Sequence, residues 1–217
     1  MAYAAHMTLL IVTAVEAEAR AIGSVAGAKV IVSGVGRTNA ASATTEAIIR
    51  DRNIRAVLGA GVAGALPQPS GSMLAIGDCI LASSCVYAEE GLITPAGFAD
   101  MAGLGFPLGD FPGNAVPVDE RLLESLSDLF PIAPIATVAT CSGTDAAAME
   151  VARRTGAAAE AMEGAAVVHA ARRLGVPAIE LRAISNNCCN RSTQRWDLPK
   201  ALASLGKAIE RAVRVVG

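Results

Sequence analysis

Short apolar runs bounded by glycine alternate, from one end of the chain to the other, with alanine-rich runs of helical periodicity. Strands of that kind lack a polar face, so both faces must be covered, and the intervening helices supply the cover. The expectation is a single α/β domain over residues 1–217, a central mixed twisted sheet flanked by helices. Strands are read at Thr8–Ala14, Lys29–Ser33, Arg55–Leu58, Asp78–Tyr87, Ile132–Thr140, Ala157–Ala161 and Ala178–Ser185. Helices are read at Glu16–Ile22, Asn39–Arg52 (capped by Thr38 or Asn39), Asp119–Leu129, Asp145–Arg154, Glu163–Leu174 and Leu198–Val215. Residues 1–6 read as an extension ahead of the first strand. Residues 90–117 carry Phe98, Phe106 and Phe111 among glycines and prolines and read as an ordered excursion or lid, because aromatic side chains in a loop need somewhere to bury.

Composition narrows the function classes. With 53% hydrophobic and 18% charged residues, the chain can bury one sizeable core and is not disordered. A formal net charge of −2 with no Lys/Arg run provides no electrostatic footprint for nucleic acid or an anionic membrane, so the expected partner is a small molecule. The start of the chain, with Glu16 and Glu18 closing its apolar run, reads as neither signal peptide nor membrane span. Five cysteines without CxxC spacing fit a reducing cytoplasm and suggest neither zinc nor a nucleophile, and no cofactor is expected.

Three groups of residues carry chemistry. Gly59-Ala60-Gly61-Val62-Ala63-Gly64 matches GxGxxG after a strand, but Pro67 and Pro69 occupy what would be the first helical turns, which argues against a dinucleotide site. The glycines still allow close backbone approach to a flat ligand. Glu163, in Ala161-Met162-Glu163-Gly164, stands where a strand meets a helix; at such a place a carboxylate is often only a partner for the helix dipole. Arg182, Ser185 and Asn186 end a buried strand, where ligand crevices of α/β sheets open. Near the N-terminus, Glu16 suits a solvated helix face and Glu18 can face the crevice.

Val15-Glu16-Ala17-Glu18, Gly61-Val62-Ala63-Gly64, Ser142-Gly143-Thr144, Ala161-Met162-Glu163-Gly164 and Arg182-Ala183-Ile184-Ser185-Asn186 together resemble, in matching chain order, the nucleoside phosphorylase and nucleosidase superfamily. Within it the chain is most similar to the futalosine hydrolases of menaquinone biosynthesis. Tyr87-Ala88-Glu89-Glu90-Gly91 followed by Thr94-Pro95-Ala96-Gly97-Phe98, glycine after Glu163, and Asn186 with Arg191 and Arg195-Trp196 carry that likeness. Adenosine-type nucleosidases have aspartate at the position of Asn186; an amide can accept from a protonated purine N7 and donate to a 6-oxo group.

The resemblance implies hydrolysis of an N-ribosidic bond through an oxocarbenium-like transition state, in a homo-oligomer. By that analogy Glu18 deprotonates the water and Asn186 steadies the departing purine. Glu163 accepts from ribose hydroxyls, and Met162 packs on the sugar unless it merely fills core. Arg182 and Ser185 brace the strand end, with a buried structural pair as the other reading of Arg182. The base slot is assigned to the backbones of Ala63-Gly64 and Ser142-Gly143 with Phe98 or Tyr87 from the excursion. The aromatic that adenosine-type enzymes carry after Ser-Gly is missing: Asp145, Ala146 and Ala147 stand there. Arg191, Arg195 or Arg37 is left to meet a substrate carboxylate. His169 reads as packing or solvent-facing and not catalytic, and Trp196 as an anchor for the C-terminal segment. Competing readings are a purine nucleoside phosphorylase using Arg37 after Gly34-Val35-Gly36, a methylthioadenosine/S-adenosylhomocysteine nucleosidase, a nucleoside-binding module without chemistry, and a Rossmann dehydrogenase.

Overall fold

A computed structural model describes residues 8–68, 71 and 73–216; the expected extension at 1–6 and Pro69 lie outside them. In chain order the elements are β1 (Thr8–Thr13), α1 (Glu16–Ile22), β2 (Ala28–Val32), α2 (Arg37–Arg50), β3 (Ile54–Ala65), β4 (Cys79–Tyr87), β5 (Gly91–Thr94) and β6 (Gly97–Asp100). There follow β7 (Ala115–Pro117), α3 (Glu120–Leu126), β8 (Ile132–Thr137), α4 (Asp145–Thr155), β9 (Ala159–Ala161), α5 (Gly164–Arg173), β10 (Ala178–Asn187) and α6 (Leu198–Val216).

The sheet is mixed and runs β10-β4-β8-β9-β3-β1-β2, with β7 on β4 and a further pairing of β10 with β3. That last pairing closes β3, β10, β4, β8 and β9 into a ring, while β1 and β2 extend it in parallel from β3. Burial on both faces explains the apolar strands: Leu10, Ile11, Val57, Leu81, Ile135 and Leu181 are all essentially without solvent contact. Helix α6 lays Leu205, Ile209 and Val213 inward at helical spacing. Among the described residues no helix is long and apolar enough to cross a membrane.

Three local expectations need correction. The strand expected at Arg55–Leu58 continues through the GxGxxG stretch to Ala65, so these glycines form a strand and not a loop. Their cause is side-chain traffic across the strand: a methyl at position 61 would stand 2.5 Å from both Glu18 Oε1 and Arg182 Nη1. Helix α2 starts at Arg37 with Gly36 at the cap position at φ 93°, a backbone conformation that favours glycine over Thr38 or Asn39. The excursion is a two-stranded hairpin, β5–β6, followed by turns that Asn114 ties together by donating to the carbonyls of Tyr87 and Glu90. Phe111 is buried there, whereas Phe106 remains 68% exposed, contrary to the expectation for the excursion's phenylalanines.

Candidate active site

The carboxyl ends of β1, β3, β9 and β10 open onto one cavity of about 450 Å³. Glu18 reaches it from the first turn of α1 and is 3% exposed. Its Oε2 accepts from the backbone N–H groups of Ala14 (2.9 Å) and Val15 (3.2 Å), and Oε1 from that of Val62 (2.9 Å). Three backbone donors converge on this carboxylate and fix its orientation, so an acceptor stands buried at the cavity wall. Glu16 is exposed.

Glu163 occupies the cap position of α5 without capping it. The Thr137 hydroxyl accepts from Ala165 N at 2.8 Å instead, which releases the Glu163 carboxylate from the helix end. Oε1 accepts from Gly36 N at 3.0 Å and Oε2 from Arg182 Nη2 at 3.2 Å. Arg182 is 2% exposed and donates through Nε to Glu180 Oε1 at 2.7 Å. Burial works against its charge, yet the carboxylates of Glu180, Glu163 and Glu18 outweigh burial and hold its pKa above the ordinary value. Arg182 therefore combines its two expected parts, being both a buried ion-pair partner and a piece of the cavity wall.

Asn186 lies on the same wall after a register shift in β10, its Oδ1 2.8 Å from the Ser185 hydroxyl, which also lies 3.2 Å from the Ala63 carbonyl. Met162, Ala63, Gly64, Ser142 and Gly143 complete the expected lining. The structure thus brings ten of the twelve candidate residues around one space.

Tyr87 and Phe98 are not among them, and their assignment to the base slot is corrected. Both line a second cavity of about 610 Å³ beneath the excursion. There the Arg154 guanidinium sits 5.1 Å from the Phe98 ring centre; the Tyr87 hydroxyl points away from that cavity and lies 3.4 Å from His169 Nδ1 on α5. Tyr87 is held away from the first cavity by its place at the end of β4, paired with Thr137 of β8, and Phe98 by the Asn114 bonds that fold the excursion toward the end of α4. His169 packs edge-on against Tyr87 and Phe111, and burial lowers its pKa, as a packing residue would show.

Glu160 and Trp196 are wall residues that the sequence does not reveal as such. Glu160, buried in β9, accepts from the backbone N–H and the hydroxyl of Ser142 at 2.7 and 2.6 Å and so fixes the Ser142–Gly143 turn. Trp196 is half exposed on the cavity rim; its backbone bridges to Asn186, and the Arg191 guanidinium lies 5.1 Å from its ring centre. Its place soon after the polar end of the last strand was the available signal. Of the three arginines considered for an anion, Arg191 reaches the wall and Arg195 does not, while Arg37 pairs with Glu89 and Glu90. Cys141 also borders the cavity, but burial, then Glu160, raises its thiol pKa, so it is a poor nucleophile.

Comparison with known proteins agrees with this geometry. Residues 12–217 match the family model of the phosphorylase superfamily. The futalosine hydrolase of Acidothermus cellulolyticus is 39% identical over 222 residues, covering 92% of this chain and 87% of that one. That of Thermus thermophilus is 35% identical over 192 residues, covering 85% and 80%. Among solved structures, the Helicobacter pylori 5'-methylthioadenosine/S-adenosyl homocysteine nucleosidase superposes with a TM-score of 0.77 at 20% identity over 96% of this chain and 98% of that one. The Helicobacter pylori futalosine hydrolase does so with a TM-score of 0.75 at 21% identity, over 96% and 97%. At such identity these two likenesses concern the fold. The chain belongs to the phosphorylase superfamily and, within it, to the futalosine hydrolase family.

Proposed function

We propose that the protein hydrolyses the N-ribosidic bond of futalosine, releasing hypoxanthine and dehypoxanthine futalosine on the way to menaquinone. The observation that carries this reading is the meeting of Glu18, Glu163 and Asn186 on one cavity wall. Glu18 takes a proton from a water as its oxygen bonds to the anomeric carbon, and the electrons of the breaking bond leave with the purine, which takes up a proton from solvent at N7. Glu163 accepts from the ribose hydroxyls, contacts that strengthen as the ring becomes positive. Asn186 accepts from N7–H and donates to the 6-oxo group of the departing base. The cavity carries three buried carboxylates, Glu18, Glu160 and Glu163, against one buried guanidinium, a balance that favours a cationic transition state over a neutral ground state.

Hydrolysis is favoured over phosphorolysis on a specific ground. The N–H groups of Ala14, Val15 and Val62, which would otherwise form an anion site, are already taken by Glu18. Arg37, the arginine a phosphorylase would use, is engaged by Glu89 and Glu90. Arg191, on the rim beside Trp196, is the cation for the carboxylate of the substrate's benzoate. The protein works in the cytoplasm, in keeping with five free cysteines. It associates as a homo-oligomer, for which exposed Ile93, Phe106 and Ile49 offer apolar surface.

The test is incubation with futalosine, inosine and methylthioadenosine in phosphate-free buffer, following free base by chromatography. Hypoxanthine from futalosine is the expected product. Base release that requires phosphate, or that runs faster with methylthioadenosine, sinks the proposal.

A further inference from the structure

Glu180 lies on β10, fully buried and off the cavity wall, and no step of the proposed reaction touches it. One oxygen accepts from Arg182 Nε; the other has no charged or strong hydrogen-bond partner among the described residues, its polar neighbour being the buried Cys85 thiol, whose pKa burial and then Glu180 raise. A carboxylate in such a place is costly, and an aliphatic side chain of similar volume would avoid the cost. The surroundings are nevertheless shaped to admit it. A Cβ at Gly164 would fall on the Glu180 carboxylate, so the residue that follows Glu163 is glycine because Glu180 occupies the space of its side chain.

The guanidinium is a rigid planar fork, so holding one nitrogen sets where the others point. With Nε fixed on Glu180, Nη2 lies on Glu163 and Nη1 near the Val62 carbonyl, beside Glu18. Freed of Glu180, Arg182 would turn toward Glu18 or Glu163 as the nearest carboxylates, and one end of the site would lose its geometry. We propose that Glu180 is a positioning residue for ribose recognition: it sets the roll of Arg182 and thereby aims the Glu163 carboxylate at the ribose hydroxyls, with Gly164 as the space that admits it.

This rests on the reading that Glu163 holds the ribose, and the experiment separates the two. The measurement is kcat/KM for futalosine divided by that for its 2′-deoxy analogue. The variants are E163Q, E180Q and the compensating pair G164A/E180A, in which the new methyl fills the volume of the lost carboxylate. Melting temperatures are followed in parallel, with G164A alone as the unfolding control. In the pair, ribose preference should fall about tenfold, the size of one lost charge-assisted hydrogen bond. In E180Q, which keeps an acceptor for Nε, it should fall by roughly a third of that. E163Q losing the preference while either folded Glu180 variant keeps it overturns the positioning role alone. E163Q keeping the preference overturns both readings.

Discussion

Two cavities described above sit on the same sheet and differ in how they treat charge. At the carboxyl ends of β1, β3, β9 and β10, Glu18, Glu160, Glu163 and Arg182 are nearly inaccessible, and each oxygen or nitrogen in contact has a named partner. Under the excursion, Arg154 and Asp100 keep contact with solvent around Phe98 and Tyr87. Buried, fully engaged carboxylates cost folding free energy that an apolar wall would not, and aromatic surface does not. That contrast is the ground for proposing chemistry where charge is desolvated and not where the rare aromatics gather.

The largest effect expected from that contrast is at Glu18. In E18Q the amide must point its NH2 at an N–H of Ala14, Val15 or Val62, leaving a buried donor unmet, and no base remains. Hypoxanthine release should fall about 10³-fold while the protein stays folded. A fall below tenfold in a folded variant would break the assignment of chemistry to the first cavity.

Next comes N186D, which replaces the NH2 donor by a carboxylate oxygen facing the 6-oxo group. Turnover of futalosine should drop about 10²-fold, and the ratio of activity on a 6-amino analogue to that on futalosine should rise. Competition between the two bases, read by chromatography, decides it. An unchanged ratio removes Asn186 from base recognition.

Much of this site was legible before the fold was known, and the reason is physical. Polar residues that follow a buried run, such as Arg182, Ser185 and Asn186 after Ile179 and Leu181, must have a reason to be at the strand end, and a ligand crevice supplies one. What escaped was set by partners far away in the chain. Gly61 belongs to a strand because side chains from positions 18 and 182 cross it, and nothing local distinguishes it from a turn glycine. The scarcity of aromatics points to Phe98 and Tyr87 for the base slot; Tyr87 is instead fixed by its pairing with Thr137 in β8, and the Asn114 bonds that fold the excursion around Phe98 elsewhere join segments separated by 24 and 27 positions. Trp196, read as an anchor, faces the cavity for a similar reason, through the pairing of its backbone with Asn186.

R191A sharpens the contrast at the rim. Arg191 is exposed, and among the described residues its side chain meets Gln194 and the Trp196 ring, so the proposal that it meets a charged substrate can be tested with little cost to the fold. KM for futalosine should rise about tenfold with kcat nearly unchanged, and KM for inosine, which lacks the carboxylate, should stay where it was. Equal increases for the two substrates would assign Arg191 to the nucleoside end instead.

F98A carries the smallest expected effect and bears on the contrast most directly. Phe98 stacks under Arg154 on the β5–β6 hairpin, so its removal costs the excursion about 0.5–1 kcal/mol of cation–π contact and some packing. If the second cavity takes no part in chemistry, kcat and KM for futalosine stay within about twofold, as for other substitutions far from a site. The melting temperature falls by a few degrees at most, by the usual conversion for a chain of this size. A tenfold rise in KM at an unchanged melting temperature would instead mean that the hairpin closes over the bound nucleoside and that the two cavities act as one site during turnover.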